Sequence, residues 1–224
     1  MWQDAKLEEY NSIMINDVWE IVSKPVDKSV VGSRWIYKIK YVVDGNVEKY
    51  KARFVAKSYA QKDGLNYLDI FTLVARYTSI RFMISLATQM GWQIHQMDIK
   101  TAFLNGVIEE EVYIEQLEGF KAHERDIHVC KLKRAPYGIK QARKAWYGQI
   151  DSHLQQICIV KSKADSNLYY LMIGGEPLIL ILYLDNLFLT RSSSFIEDYK
   201  KDLVAEFEMM DLKLMHYFLG QEVW

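Results

Sequence analysis

The sequence predicts an α+β fold built around one large domain. Its 224 residues are enough to bury a sizeable core, and 50% of them are hydrophobic. Segments with helical period and segments with strand alternation both occur, but they do not follow one another in regular βαβ units, which favours antiparallel strands. The 11 glycines and 3 prolines are too few for a low-complexity or collagen-like chain.

The first elements are an amphipathic helix and a β-hairpin. Residues 8–21 have the pattern of a short helix followed by a strand or loop. Residues 35–43 alternate between large apolar and basic side chains, and Asp44-Gly45 is a strong signal for a two-residue hairpin turn before a return strand at residues 47–55. Such a turn places Lys40 opposite Lys49 and Lys38 opposite Lys51.

Five cations then share one face of this hairpin: Lys38, Lys40, Lys49, Lys51 and Arg53. Like charges directly across a ladder are destabilising, so this face is suited to a polyanion. The alternative is that the lysines are solvated and splay apart, as most surface lysines do. The pattern alone leaves both interpretations open.

The remaining elements are predicted from hydrophobic period and turn signals. They are a helix from Thr78-Ser79 to Met90 with Gly91 as its stop, a strand at residues 92–99, a helix at residues 140–157, strands at residues 168–173, 178–184 and 187–190, and a helix with a Ser194–Glu197 capping box. No internal repeat is present.

The net charge of −1 results from cancellation between patches. Residues 28–62 contain nine Lys or Arg and two acids, residues 121–144 contain eight and two, and acidic runs at residues 109–118 and 197–211 offset them. Cys130 and Cys158 have no CxxC spacing and the histidines no HExxH pattern, so a metal site would use carboxylates. Without a signal peptide or a long apolar run, we expect an intracellular protein that does not enter a membrane.

Two aspartates lie where apolar strands end. Asp98 closes one such strand, and Asp185 lies between two others. A carboxylate there must be compensated, and two of them brought together would suit magnesium, which prefers hard oxygen ligands. The alternative is that Asp185-Asn186 is an ordinary hairpin turn, because both residues tolerate left-handed geometry.

Six motifs, in order along the chain, resemble the reverse transcriptases of copia-type retrotransposons. They are residues 50–57 (YKARFVAK), 96–106 (QMDIKTAFLNG), 111–120 (EVYIEQLEGF), 137–142 (YGIKQA), 183–186 (YLDN) and 217–220 (YFLG). The resemblance implies a right-hand polymerase core with an antiparallel palm sheet packed on helices. It places the fingers at roughly residues 28–75 and 107–140 and the palm at roughly 76–106 and 141–224, with an incomplete thumb and no ribonuclease H region.

The resemblance also implies an activity: template-directed nucleotidyl transfer with two magnesium ions, using an RNA template, a DNA primer and deoxynucleoside triphosphates. Asp98 and Asp185 would hold the metals, helped by the Ile99 carbonyl. Phe103 would reject a 2′-hydroxyl. The residues expected at the incoming nucleotide are Lys51, Arg53, Tyr137, Gly138 and Lys140, and those expected at the template or primer are Lys38, Lys40, Lys49, Phe218, Leu219 and Gly220.

The chain departs from the family pattern at several positions. Asn186 stands where the family has a second aspartate, so we expect weaker metal binding and severely impaired catalysis. The family usually has glycine where this chain has Ser58, Arg191 and Lys213, and proline where it has Leu73 and Arg143. The alternatives to an impaired polymerase are an inactive remnant that still binds nucleic acid, and a gene fragment without function.

Overall fold

The structure is a computed structural model that describes residues 1–42, 44–57, 75–120, 124, 127–191 and 196–223. The chain forms two compact units, each assembled from two separate stretches of sequence. Unit 1 comprises Met1–Phe71 and Phe103–Gln149, and unit 2 comprises Thr72–Ala102 and Ile150–Trp224.

The described residues form four α-helices and fourteen strands, the mixture of helix and sheet that the sequence predicts. The helices are α1 (Trp2–Ile15), α2 (Tyr77–Met90), α3 (Ala142–Gln156) and α4 (Ile196–Glu206). The strands are β1 (Trp19–Ser23), β2 (Val30–Val31), β3 (Ser33–Tyr41), β4 (Val47–Ala56), β5 (Gln93–Ile99), β6 (Tyr113–Ile114), β7 (His128–Leu132), β8 (Val160–Lys161), β9 (Leu168–Ile173), β10 (Glu176–Tyr183), β11 (Asn186–Arg191), β12 (Met209–Leu214), β13 (Tyr217–Phe218) and β14 (Gln221–Glu222).

A short 3-10 helix, Ala102–Asn105, follows β5. Among the described helices, none combines the length and the apolar character that crossing a membrane requires.

Unit 1 contains a four-stranded sheet and a separate hairpin. The sheet has the order β1-β7-β6-β2, in which only the β2–β6 pair is parallel. The hairpin pairs β3 with β4. Its buried side chain Phe54 joins Val31, Leu104 and Ile114 in one apolar cluster, so the hairpin is anchored to the rest of the unit through one of its two faces.

The hairpin has the predicted register around its lysines. Lys38 pairs with Lys51 and Lys40 with Lys49. The turn itself is different, because Gly45 N–H donates to the Val42 carbonyl and the register shifts by one residue beyond Lys40. The Asp-Gly signal therefore located the turn, while a bulge on the return strand absorbs the extra residue.

Helix α1 begins earlier than the sequence pattern indicates, and the strand β1 follows it as one of the predicted alternatives. The helix covers Trp2–Ile15 and ends before Asp17, whose φ of +46° is left-handed and cannot continue a helix. Its buried residues are Ala5, Glu9 and Ile13, spaced by four, and this stripe packs against β4. A carboxylate is therefore part of the helix face that is turned inward.

Unit 2 is built on a six-stranded antiparallel sheet. The strand order is β12-β5-β11-β10-β9-β8, and the three predicted strands that became β9, β10 and β11 are neighbours in it. Helix α2 packs its buried side chains Ile80, Met83 and Ala87 against Ile94 and Phe188 of this sheet. Gly91 ends α2 in the left-handed conformation, as predicted.

The start of α2 is capped from a distant loop. The predicted cap, Thr78-Ser79, lies inside the helix, which begins at Tyr77. Asp165 accepts hydrogen bonds from the Arg76 N–H at 3.0 Å and from Ser79 Oγ at 2.6 Å. Burial raises the pKa of Asp165, but these donors outweigh burial and lower that pKa on balance.

Helix α4 carries a buried lysine that contacts two strands of the sheet, β5 and β12. Lys200 is 5% exposed and contacts Asp211, Glu197 and His95, the last at 2.8 Å from Nζ to Nδ1. The predicted capping serine, Ser194, lies outside the described residues. A buried lysine at this position was not expected from the apolar stripe that predicted the helix.

Candidate active site

Asp98 and position 186 are neighbours across two strands of unit 2. The antiparallel register of β5 and β11 pairs Asp98 with Asn186. Side chains at paired positions point to the same face of a sheet, and Gln96, two residues before Asp98, shares that face. The register is fixed by buried neighbours such as Met97 and Leu187, which point to the opposite face.

Asp185 lies at the tip of the hairpin that joins β10 to β11. Tyr183 pairs with Asn186, so Leu184 and Asp185 form the two-residue turn. Leu184 has a φ of +58°, an unusual conformation for a leucine, and the Ile99 N–H donates to the Asp185 carbonyl at 2.8 Å. A hairpin turn is thus present, but it is formed by Leu184-Asp185 and not by Asp185-Asn186, because Asn186 is the first residue of β11 and Leu184 is the one with left-handed geometry. The turn holds Asp185 beside the end of β5.

The Asn186 amide is bonded at both ends. Its Oδ1 accepts a hydrogen bond from Gln96 Nε2 at 2.8 Å, and its Nδ2 donates to Asp185 Oδ1 at 3.0 Å. Gln96 therefore sets the orientation of the amide so that its N–H group is turned toward Asp185. Gln96 was not predicted as a site residue, and its place two residues before Asp98 is the signal that could have found it.

These residues fit a divalent metal only in part. Asp98 and Asp185 supply two carboxylates at adjacent positions, which is suitable chemistry for magnesium. Among the described residues, however, no group of three His, Cys, Asp or Glu side chains could hold a metal ion. The neutral amide at position 186 occupies the place that the family pattern gives to a further carboxylate.

The turn at residues 218–220 packs on the same hairpin. Leu219 and Gly220 both have positive φ, at +49° and +79°, and join β13 to β14. The Phe218 ring contacts the rings of Tyr183 and Phe188, with centroids 5.2 and 4.4 Å apart, and Tyr77 Oη donates to the Leu219 carbonyl at 2.6 Å. This turn is thereby fixed beside the strand that leads to Asp185.

In unit 1, Arg53 lies between a carboxylate and an aromatic ring. Its Nη1 donates to Glu9 Oε2 at 2.6 Å, and its guanidinium carbon is 4.9 Å from the centre of the Tyr137 ring. The Tyr137 ring in turn contacts Phe103 edge to face, at 5.5 Å between centroids. The structure therefore brings three predicted nucleotide residues together and adds Glu9, which was not predicted.

Gly138 allows the Tyr137 loop to approach β4. The Ala56 N–H donates to the Tyr137 carbonyl at 2.8 Å. Gly138 has a φ of +90°, and a Cβ atom there would overlap the Ala56 carbonyl oxygen and lie 2.5 Å from Val55 Cγ1. Glycine is required at this position for both conformation and space.

The cations of the hairpin are not equivalent. Lys38 and Lys40 are exposed, whereas Lys49 Nζ is 2.6 Å from Glu8 Oε1 of helix α1. Lys51 and Lys140 are half-buried, and each makes further interactions. Helix α1 thus supplies carboxylates to two of the five predicted cations, Lys49 and Arg53.

Two of the positions that usually hold glycine in the family, 191 and 213, lie among the described residues. Lys213 has a φ of +67°, which is the conformation that favours glycine, at the bulge where β12 shifts register against β5. Arg191 is in β11 without a positive φ, so backbone conformation does not explain the usual glycine there. Ser58 and Leu73 lie outside the described residues, and Arg143 is an exposed residue in the first turn of α3.

Comparison with known proteins identifies the class to which this fold and these motifs belong. The family described as reverse transcriptase (RNA-dependent DNA polymerase) matches residues 16–224, and the chain belongs to this family. Its curated relatives include retrovirus-related Pol polyproteins from transposons.

Two of these relatives come from plants. The chain is 37% identical to the retrovirus-related Pol polyprotein from transposon RE1 of Arabidopsis thaliana over 99% of this chain. It is 36% identical to that from transposon TNT 1-94 of Nicotiana tabacum over 98% of this chain. It spans 15% and 17% of the lengths of these relatives.

Proposed function

We propose that this chain is the RNA-directed DNA polymerase core of a copia-type Pol polyprotein, with nucleotidyl transfer severely impaired by Asn186. In this proposal the fingers correspond to roughly residues 28–75 and 107–140, and the palm to roughly 76–106 and 141–224. The division of the chain into two compact units, with boundaries at residues 71/72, 102/103 and 149/150, supports this assignment. The substrates are an RNA template, a DNA primer and deoxynucleoside triphosphates.

The β5–β11 register is the observation that carries this proposal. It pairs Asp98 with position 186, next to Asp185 at the hairpin tip. Asp98 and Asp185, helped by the Ile99 carbonyl, would hold magnesium, which when bound lowers the pKa of the primer 3′-hydroxyl and offsets the charge developing on the phosphoryl oxygens.

The residues around Arg53 would bind the incoming nucleotide. Arg53, Lys51 and Lys140 contribute positive charge for the triphosphate, and an arginine can form paired hydrogen bonds to phosphate oxygens. Phe103, which contacts Tyr137, would lie under the sugar and reject a 2′-hydroxyl by its bulk. Gly138 lets the backbone of this loop approach β4 closely enough to complete the pocket.

The template and primer would contact other parts of the two units. Lys38, Lys40 and Lys49 are on the cationic face of the hairpin and would neutralise phosphates of the template. The turn formed by Phe218, Leu219 and Gly220 would hold the primer end. Its packing against Tyr183 ties this turn to the hairpin that carries Asp185.

Asn186 favours a second candidate, an inactive domain that binds nucleic acid. The amide brings no negative charge, and its N–H group donates to an oxygen of Asp185 that a metal would otherwise use. A cation at that oxygen must displace the amide donor, which costs binding free energy. The two candidates differ in turnover but share the cationic hairpin.

Primer extension on an RNA template separates the candidates. We expect the chain to bind an RNA–DNA hybrid in a salt-sensitive manner and, with magnesium or manganese, to add nucleotides weakly but above the level of an Asp98→Ala control. Binding without incorporation above that control would establish the inactive domain instead. Absence of both binding and incorporation would contradict both candidates.

A further inference from the structure

Glu9 of helix α1 is a buried carboxylate with two specific partners. Its side chain is 1% exposed, with Oε2 2.6 Å from Arg53 Nη1 and Oε1 3.2 Å from the Phe54 backbone N–H. Burial raises the pKa of Glu9, and the Arg53 guanidinium and the Phe54 N–H oppose that rise. One carboxylate therefore bonds a side chain and the adjacent backbone of β4 together.

The second contact of Arg53 restricts its guanidinium group further. The Tyr137 ring lies 4.9 Å from the guanidinium carbon, so the group is held between a carboxylate and an aromatic face. An arginine has five N–H donors. Both hydrogen bonds that the Arg53 side chain donates to described residues, to Glu9 and at 3.5 Å to the Ala52 carbonyl, come from Nη1, so Nε and Nη2 can donate to phosphate oxygens. The side chain of Arg53 is 26% exposed, so an anion can still reach it.

We propose that Glu9 is a positioning residue of the nucleotide site, which acts by fixing the Arg53 guanidinium in the orientation that binds a triphosphate. This inference rests on the proposed function, in which Arg53 contacts the incoming nucleotide. It makes helix α1 a functional part of the site, although no motif of the sequence points to this helix.

The direction in which removal of the Glu9 charge changes triphosphate binding distinguishes a positioning role from a purely electrostatic one. A carboxylate close to a triphosphate repels it, so removing the charge of Glu9 would strengthen binding if Coulomb repulsion were its main effect. If Glu9 orients Arg53, removing the Glu9 charge weakens binding. The Arg53 side chain must then be ordered when the triphosphate binds, which makes the binding free energy less favourable. The two mechanisms predict opposite changes in the dissociation constant.

The test is equilibrium dialysis with radiolabelled deoxythymidine triphosphate. Divalent metal is omitted, so that an effect of Asn186 on metal binding does not contribute to the measured affinity for the triphosphate. We expect Glu9→Gln to weaken binding by about tenfold, the size of coupling usual for contacting polar groups. Glu8→Gln is the matched control, since Glu8 is on the same helix and also bonds a hairpin cation at 2.6 Å, but at the surface. It should leave binding within about twofold of the wild type.

A double-mutant cycle shows whether Glu9 acts through Arg53. Arg53→Ala should weaken binding at least as much as Glu9→Gln, and adding Glu9→Gln to Arg53→Ala should change nothing more. If Arg53→Ala weakens binding and Glu9→Gln leaves it unchanged or strengthens it, the role of Glu9 is wrong while the nucleotide site stands. If Arg53→Ala binds as the wild type does, the nucleotide site and the role of Glu9 are both wrong.

A measurement on the wild-type chain covers the case in which Glu9→Gln does not fold. The guanidinium NMR signal of Arg53, assigned by its loss in Arg53→Lys, should show hindered rotation without ligand and a shift when the triphosphate is added. A freely rotating guanidinium group would contradict the proposal.

Discussion

Position 186 affects how the carboxylate of Asp185, at the tip of the β10–β11 hairpin, is compensated. An aspartate there would be adjacent to Asp185 and opposite Asp98, and such a cluster repels itself unless a cation is bound. With Asn186, the amide donates to Asp185 and compensates part of that charge without any metal. In the proposed function, Asn186 thereby stabilises the hairpin without a metal and lowers the free energy that a metal would gain by binding there.

Lys213 offers a direct test of a second departure from the family pattern. Because its φ is +67°, we expect Lys213→Gly to be more stable than Lys213→Ala by about 1 kcal/mol, since only glycine adopts this conformation without strain. The exposed Lys213–Asp211 ion pair is absent from both variants, so it cancels from the comparison. Urea denaturation of the two variants measures the difference. Equal stabilities would show that the left-handed conformation is not retained in solution.

Among the elements, α4 and β5 are joined by a titratable pair, the buried Lys200 and the half-buried His95. Lys200 Nζ is 2.8 Å from His95 Nδ1, which requires a neutral imidazole that accepts the hydrogen bond. Burial and the Lys200 ammonium group lower the pKa of His95 from 6.5, outweighing the carboxylates of Glu197 and Asp211. Protonation of His95 would leave two cations in contact.

This pair makes stability depend on pH. Because the pKa of His95 is lower in the folded than in the unfolded chain, the unfolded chain binds the proton more readily. The contribution to stability is therefore complete above pH 6.5 and declines as the pH falls below that value. Urea titrations between pH 7.5 and about 5 should show this decline. The decline should be smaller in His95→Gln and retained in the control His216→Gln, whose histidine is exposed. An unchanged decline in His95→Gln would rule out His95 as its cause.

The sequence predicts the features of each element that depend on local pattern. It does not predict those that depend on groups distant along the chain. Alternation and the Asp-Gly signal gave the pairing of Lys38 with Lys51, and hydrophobic period gave α2 and its end at Gly91. The start of α2 could not be found this way, because its cap is Asp165, some ninety residues away along the chain. The exact turn of the first hairpin also differs, since a bulge is a property of both strands together.

The same distinction applies to the site. Asn186 and Arg53 were named from motifs, but their hydrogen-bond partners Gln96 and Glu9 were not. Glu9 had a signal in retrospect, because it lies on the stripe of Ala5 and Ile13, where a carboxylate needs a cation. Which cation it would find depended on the packing of α1 on β4, which no local pattern encodes.

At the scale of the whole molecule, the net charge of −1 does not show that some cations of the hairpin are paired with carboxylates and others are exposed. The hairpin carries a strong local positive charge, but Glu8 and Glu9 of α1 compensate Lys49 and Arg53. Of the three lysines proposed to contact the template, Lys49 is thus paired, and the exposed Lys38 and Lys40 are the better candidates for contacts with template phosphates.

We predict that Lys38→Ala and Lys40→Ala each weaken binding of an RNA–DNA hybrid and reduce the slope of log affinity against log salt by about 1. Lys49→Ala, which removes a lysine already paired with Glu8, should reduce it less. Fluorescence anisotropy at several salt concentrations measures the slopes. If Lys49→Ala had the largest effect, the assignment of the template contacts would be wrong.

The central claim is that this reverse transcriptase domain keeps its site geometry and is impaired at position 186. Primer extension by Asn186→Asp, with an RNA template and magnesium, tests it most directly. We predict extension well above the wild type and abolished by adding Asp98→Ala, because the restored carboxylate completes the metal-binding group beside Gln96 and Asp185. Extension by Asn186→Asp that does not exceed the wild type would contradict the claim.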